Sequence, residues 1–183
     1  LFSSIKIIES KKRYYPFQNF SQIIGYMGQP TQSSELYSKG VFHLERSYEK
    51  HLRGKPGKIF SEVNAKGKTI REISIEKSIK GNDLDLTLDL TLQNYAQSQL
   101  PTDKKGSIVV ISVSDGSILS MNSNPTFDAQ IFEDRENNKI NELLNNDQKP
   151  LFNRAFSGFY PPGSVFKPIS ALVGLQRNLI DPQ

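Results

Sequence analysis

Tyr160-Pro161-Pro162-Gly163-Ser164-Val165-Phe166-Lys167-Pro168 delivers a serine behind a rigid Pro-Pro-Gly lead-in, with a lysine three residues later at the start of an apolar run. On a helix, positions i and i+3 share a face with Cβ atoms roughly 5–6 Å apart, so the Lys167 ammonium can fold back to the Ser164 hydroxyl. A serine attacks poorly unless a neighbouring base takes its proton. A desolvated lysine can be that base, because burial disfavours the charged form and lowers its pKa. A helix N-terminus also suits Ser164, since free backbone N–H groups and the helix dipole favour negative charge there. Pro161 and Pro162 fix the approach, and Gly163 permits close passage of a substrate or an unusual backbone angle. Ser164 is therefore a candidate acyl-transfer nucleophile and Lys167 its candidate base. The same spacing also arises at ordinary helix starts, where serine is a common N-cap. One detail sits awkwardly: with Ser164 as N-cap, Pro168 falls at the fourth helical position.

The helix after it runs to about residue 175. Phe166, Ile169, Ala171, Leu172 and Leu175 make it apolar around much of its circumference, which predicts burial. Upstream, residues 122–149 are polar and asparagine-rich, with one short helix expected near 140–144, as in a functional loop or insertion. Before that, Ser107-Ile108-Val109-Val110-Ile111-Ser112-Val113 and Ser117-Ile118-Leu119-Ser120-Met121 flank Asp115-Gly116, a hairpin signal. The near-continuous apolarity of the first strand predicts a sheet covered on both faces. Asp89 or Thr91 caps a helix over 92–100, and residues 84–88 alternate like a half-buried strand.

The first 80 residues read differently. Strands are expected at 5–7 and 23–28, a polar loop at 28–40, and an amphipathic helix at 41–52 with Leu44, Tyr48 and Leu52 on one face. A hairpin comes next, 58–63 and 69–75, turned at Gly67. Polar residues 74–83 predict a domain boundary near residue 80. Tyr14, Tyr15 and Tyr26 read as core or strand-face aromatics, Asp83, Asp85 and Asp89 as solvated, and Ser120-Met121-Asn122 as a chance Ser-x-Asn.

Across 183 residues, 36% hydrophobic and 23% charged content supports one ordinary domain, or a small domain with part of another. A net charge of +4 is only mildly basic and its lysines and arginines are scattered, which argues against nucleic-acid binding. Without cysteine there is no disulfide or thiolate chemistry. His43 and His51 read as solvated surface groups, and no metal or cofactor site is expected. No apolar run reaches the ~18 residues of a membrane span. Leu1 without a methionine, and Asp181-Pro182-Gln183 directly after a helix, point to a fragment of a longer protein.

Several ordered motifs then carry a resemblance. Arg13-Tyr14-Tyr15-Pro16, Ile24-Gly25-Tyr26, Leu44-Glu45 with Tyr48-Glu49, and Leu52-Arg53-Gly54-Lys55-Pro56-Gly57 come first. Leu86-Thr87-Leu88-Asp89-Leu90-Thr91-Leu92-Gln93, Asp115-Gly116-Ser117-Ile118-Leu119-Ser120-Met121, Asn124-Pro125-Thr126-Phe127-Asp128 and Asn153-Arg154-Ala155 come after them, ending in the Ser164 stretch. In this order they resemble a class B penicillin-binding protein of the elongation type. Position 165 is Val where many relatives carry Thr, and Val41-Phe42-His43 replaces a commonly glycine-rich stretch.

The resemblance implies a mixed α+β fold. Residues 1–80 would end a non-catalytic pedestal (dimerisation-type) domain of strands and a helix, and 81–183 would start a β-lactamase-like α/β transpeptidase domain. It implies a peptidoglycan D,D-transpeptidase in which Ser164 attacks the penultimate D-Ala carbonyl of a stem peptide and Lys167 is the base. Gly163, Tyr160, Arg154 and Asn153 would line or support the pocket. β-Lactam antibiotics would acylate the same serine. A membrane glycosyltransferase of the elongation machinery would be a partner, and an N-terminal membrane helix outside this chain would anchor the protein at the periplasmic face of the inner membrane. The family's downstream Ser-x-Asn and Lys-Ser/Thr-Gly motifs are not in these 183 residues, which are expected to have little activity alone. Rival readings are a serine β-lactamase or D,D-carboxypeptidase, or a non-catalytic scaffold binding the glycosyltransferase.

Overall fold

A computed structural model of the chain describes residues 12–28 and 38–181. The strand expected at 5–7, most of the loop at 28–40 and the two chain ends lie outside the described residues.

A 3₁₀ turn at Gln18–Phe20 continues into a short helix, α1 (Ser21–Ile24), stopped at Gly25. The strand expected over 23–28 is thus only partly formed, with Ile23 and Ile24 in the helix. Only Met27–Gly28, β1, pairs, antiparallel to β2 (Lys39–Gly40). The physical reason lies at Gly25, whose φ is +84° and whose position would put a Cβ 2.1 Å from the Phe42 carbonyl oxygen. No other residue fits that approach. Phe42 begins two helical turns, α2 (His43–Ser47) and α3 (Glu49–Arg53), where a single helix was expected. Tyr48, with φ −107° and ψ 17°, leaves helical geometry between them.

The hairpin of β3 (Lys58–Val63) and β4 (Thr69–Glu76) forms as expected. Asn64 Oδ1 accepts from the Lys66 and Lys68 N–H groups at 3.0 and 2.9 Å and closes the turn. Residues 84–88 form no strand. They run extended beside the next hairpin, tied by Thr87 Oγ1 donating to the Ile118 carbonyl at 2.7 Å. Of the two expected caps, Asp89, exposed as expected, caps α4 (Leu90–Ser98), accepting from the Leu92 N–H at 2.7 Å. The Asp115-Gly116 turn joins β5 (Gly106–Ile111) to β6 (Ile118–Asn124). Contrary to the expected double cover, Val109 and Ile111 stay exposed, because among the described residues α4 covers only the other face.

Residues 125–149 are more structured than the sequence predicts. They carry two helices, α5 (Gln130–Glu133) and α6 (Asn137–Leu144), and bury Phe127, Ala129 and Ile131. Tyr15, Phe127 and Ala129 centre the core, with Ile24, Tyr26, Phe42, Phe132, Leu143 and Leu151 packed around them. Tyr26 stacks on Phe132 with ring centroids 3.6 Å apart and meets Phe127 edge-on. Tyr14 points outward. The expected boundary near 80 falls in an exposed stretch, yet residues on both sides of it share this one core.

Two buried polar groups tie the layers. Gln93, fully buried on α4, accepts from the Met121 N–H (2.9 Å) and the Ser120 hydroxyl (3.1 Å). Its amide donates to the Asn19 and Met121 carbonyls, both at 2.9 Å. Ser120 and Asn122, the chance Ser-x-Asn, are therefore interior hydrogen-bonding groups. Glu45 is buried beneath Arg13 (Nε to Oε1, 3.1 Å) and the Tyr15 hydroxyl (3.3 Å). Burial pushes its carboxyl pKa up, opposed by the Arg13 charge. His43 is half-buried rather than solvated, against Phe42, and burial lowers its pKa. His51 is exposed and bonds the Asp83 carbonyl at 2.9 Å.

Gln93→Leu strands the Met121 N–H and two carbonyls, and should lower unfolding free energy by about 2–3 kcal/mol in urea denaturation. For Glu45 the fold favours the protonated carboxyl, so its contribution is present at low pH and is lost as pH rises through the raised pKa. Glu45→Gln should therefore gain stability relative to the unmutated protein as pH is raised from about 4 to 8 in a urea-midpoint series. A relative loss over that range would contradict the burial cause.

Candidate active site

Ser164 lies in a second 3₁₀ turn, Gly163–Phe166, that runs into α7 (Lys167–Gln176). Gly163 holds φ +56°, a left-handed angle that costs glycine little and other residues more. The Val165 N–H bonds the Pro162 carbonyl at 3.3 Å, and the Lys167 N–H bonds the Ser164 carbonyl. These bonds set Ser164 and Lys167 one tight turn apart. The N-cap of α7 is Phe166, not Ser164, so Pro168 occupies the first turn, where its missing N–H has no intrahelical acceptor to lose. The 3₁₀ entry thus removes the conflict that Pro168 posed with Ser164 as N-cap.

Burial of the helix is not observed. Val165, Ile169 and Leu172 are half or more exposed, and so is most of α7. Among the described residues, α7 packs chiefly on its own 3₁₀ turn and, through Gly174, on Ile180. Lys167 is likewise exposed among the described residues. A hydroxyl and an amine one turn apart, with first-turn N–H groups beside them, can still make a nucleophile, a proton acceptor and an oxyanion donor.

The other expected site residues separate into two layers. Tyr160 is 64% exposed, its ring lying over Gly158, where a Cβ would come within 2.4 Å of it. Asn153 and Arg154 are buried. The Arg154 guanidinium donates to the Gln148, Lys149 and Phe152 carbonyls at 2.6, 3.2 and 3.2 Å, winding the chain around itself. Its backbone N–H donates to the Ser123 hydroxyl at 2.9 Å. Asn153 Oδ1 accepts from the Ala155 and Phe156 N–H groups, both at 3.0 Å. Gln22 and Ser123, which the sequence did not single out, hold this layer. Nothing local in the sequence marks either.

Two family models match: penicillin-binding protein dimerisation domain over residues 1–86, and penicillin-binding protein transpeptidase domain over 106–183. The chain is 36% identical over 192 residues to the peptidoglycan D,D-transpeptidase MrdA of Acinetobacter baumannii, a match covering 98% of this chain and 28% of the relative. Among solved structures, PBP2 of Helicobacter pylori, in complex with MreC, superposes with TM-score 0.72 and 30% identity, over 90% of this chain and 33% of that one. A chain of a peptidoglycan synthase complex that coordinates polymerization and crosslinking superposes with TM-score 0.74 and 30% identity, over 94% of this chain and 34% of that one. The chain thus spans about a third of the length of the relatives it matches. The mixed α/β architecture and the two family models agree: the chain belongs to the penicillin-binding proteins, joining dimerisation-domain to transpeptidase-domain residues, and it is similar to those named MrdA or PBP2.

Proposed function

We propose that these residues carry the nucleophile of a peptidoglycan D,D-transpeptidase. The observation that carries this reading is the 3₁₀ turn that sets Ser164 and Lys167 at the head of a transpeptidase-family helix. In the reaction, the Ser164 hydroxyl attacks the penultimate D-Ala carbonyl while Lys167 takes its proton. The oxyanion forms against the Ser164 N–H, which lies in the turn where helical N–H groups lack partners. Collapse expels the terminal D-Ala with a proton and leaves an ester on Ser164. An amine of a second stem peptide then attacks that ester, forming the cross-link and freeing the serine. A β-lactam opens on the same oxygen and leaves a slow-hydrolysing acyl-enzyme.

The dimerisation-domain residues fit a pedestal that sets the catalytic domain apart from the membrane, with 1–80 and 81–183 as the two parts. The presence of relatives in complex with MreC and within a peptidoglycan synthase complex supports a place in a cell-wall assembly that includes a membrane glycosyltransferase. Attachment to the periplasmic face of the inner membrane goes with that role. No helix among the described residues is long and apolar enough to cross a membrane.

Labelling of the full-length protein with a fluorescent penicillin should place one acyl group on the tryptic peptide containing Ser164. Ser164→Ala should abolish it, and Lys167→Ala should slow acylation by about 10²–10⁴-fold. Persistent labelling of Ser164→Ala would contradict the assignment. Rapid turnover of the penicillin with no lasting adduct would indicate a β-lactamase instead.

A further inference from the structure

Two buried carboxamides tie the approach to Ser164 back to the N-terminal residues. Gln22 on α1 is 2% exposed and Asn153 is 3% exposed. Asn153 Nδ2 donates to the Gln22 carbonyl at 2.7 Å, and Gln22 Nε2 donates to the Pro150 carbonyl. At its other end, Asn153 Oδ1 gathers the Ala155 and Phe156 N–H groups. The Ser157 N–H then closes on the Asn153 carbonyl at 2.7 Å. From Gly158 to Gly163 the chain is restricted at three places. Gly158 passes where a Cβ would lie 2.6 Å from the Arg154 carbonyl oxygen, Pro161 and Pro162 restrict the next angles, and Gly163 enters the 3₁₀ turn. A short connection restricted at these places couples the turn at 150–157 to the turn that carries Ser164.

We propose that Gln22 and Asn153 are a positioning pair for the Ser164 nucleophile. Each holds turn 150–157 from the side of α1, and the Pro-Pro-Gly lead-in carries that placement to the serine hydroxyl. Among the described residues neither is hydrogen-bonded to Ser164 or Lys167. A dimerisation-domain helix thereby sets the attack geometry of a transpeptidase-domain serine. The inference rests on the acyl-enzyme reading above and adds to it two residues outside the nucleophile turn.

The test uses full-length protein with near-isosteric variants. Gln22→Met removes the donor to Pro150 while keeping volume. Asn153→Asp keeps the acceptor for Ala155 and Phe156 while removing the donor to Gln22. Stopped-flow acylation by a fluorescent penicillin separates initial Kd, the acylation rate constant and the labelled amplitude. Each variant should lose about 10–100-fold in the rate constant, with Kd and amplitude retained, because a misplacement near 1 Å costs about that much. The double variant should lose less than the product of the two, since both act on one turn. Unmutated rate constants would overturn the proposal, as would loss of amplitude and Tm alone, the mark of a purely structural role. Ser164→Ala run alongside distinguishes the two levels: labelling that survives it defeats the acyl-enzyme reading itself.

Discussion

A carboxamide taken out of water must recover its hydrogen bonds inside the protein, or each unpaired group costs about 1–3 kcal/mol. Gln93, Gln22 and Asn153 are under that constraint, and most of what is specific in this structure comes from how they meet it. Gln93 fastens α4 to β6 and to the turn at Asn19. Gln22 and Asn153 fasten α1 to the turn ahead of the nucleophile. Apolar packing around Tyr15, Phe127 and Ala129 supplies cohesion, but it is less particular about register than a directional amide.

Dimerisation-domain and transpeptidase-domain residues are consequently not independent bodies joined by a string. Tyr26 from the first stacks on Phe132 from the second, and Tyr26 and Phe42 both meet Phe127 edge-on. The Tyr15 N–H donates to the Gln130 side chain at 2.9 Å. The β3–β4 hairpin is the exception, standing out with Ile59, Ile70, Ile73 and Ile75 exposed. A chain joined in this way can transmit strain between its two parts, because packed interiors yield little.

What the residues disclosed in advance was local. Asp115-Gly116 announced its hairpin, Asp89 its helix cap, and the Ser164 stretch the helix that follows it, each through chemistry confined to a few neighbours. The failures were long-range or depended on surroundings. The run at Ile23-Ile24 became helix because Gly25 must clear Phe42 across the core. The polar text of 125–149 hid Phe127, Ala129 and Ile131, anchors too sparse to show a period. Pro168 looked misplaced until a 3₁₀ entry moved the helix start by two residues. The apolar face of α7 predicted burial, but no described element covers it. Gln22 gave no sign at all, since a glutamine beside two isoleucines is legible only once Pro150 and Asn153 lie against it.

The most direct test is a crystal structure of the full-length protein after reaction with a penicillin. The account predicts continuous density from Ser164 Oγ to the opened lactam carbonyl, with Lys167 beside it and Asn153 still bonded to the Gln22 carbonyl. Density joined to any other residue, or an acylated Ser164 whose 153–157 turn has parted from α1, would contradict it.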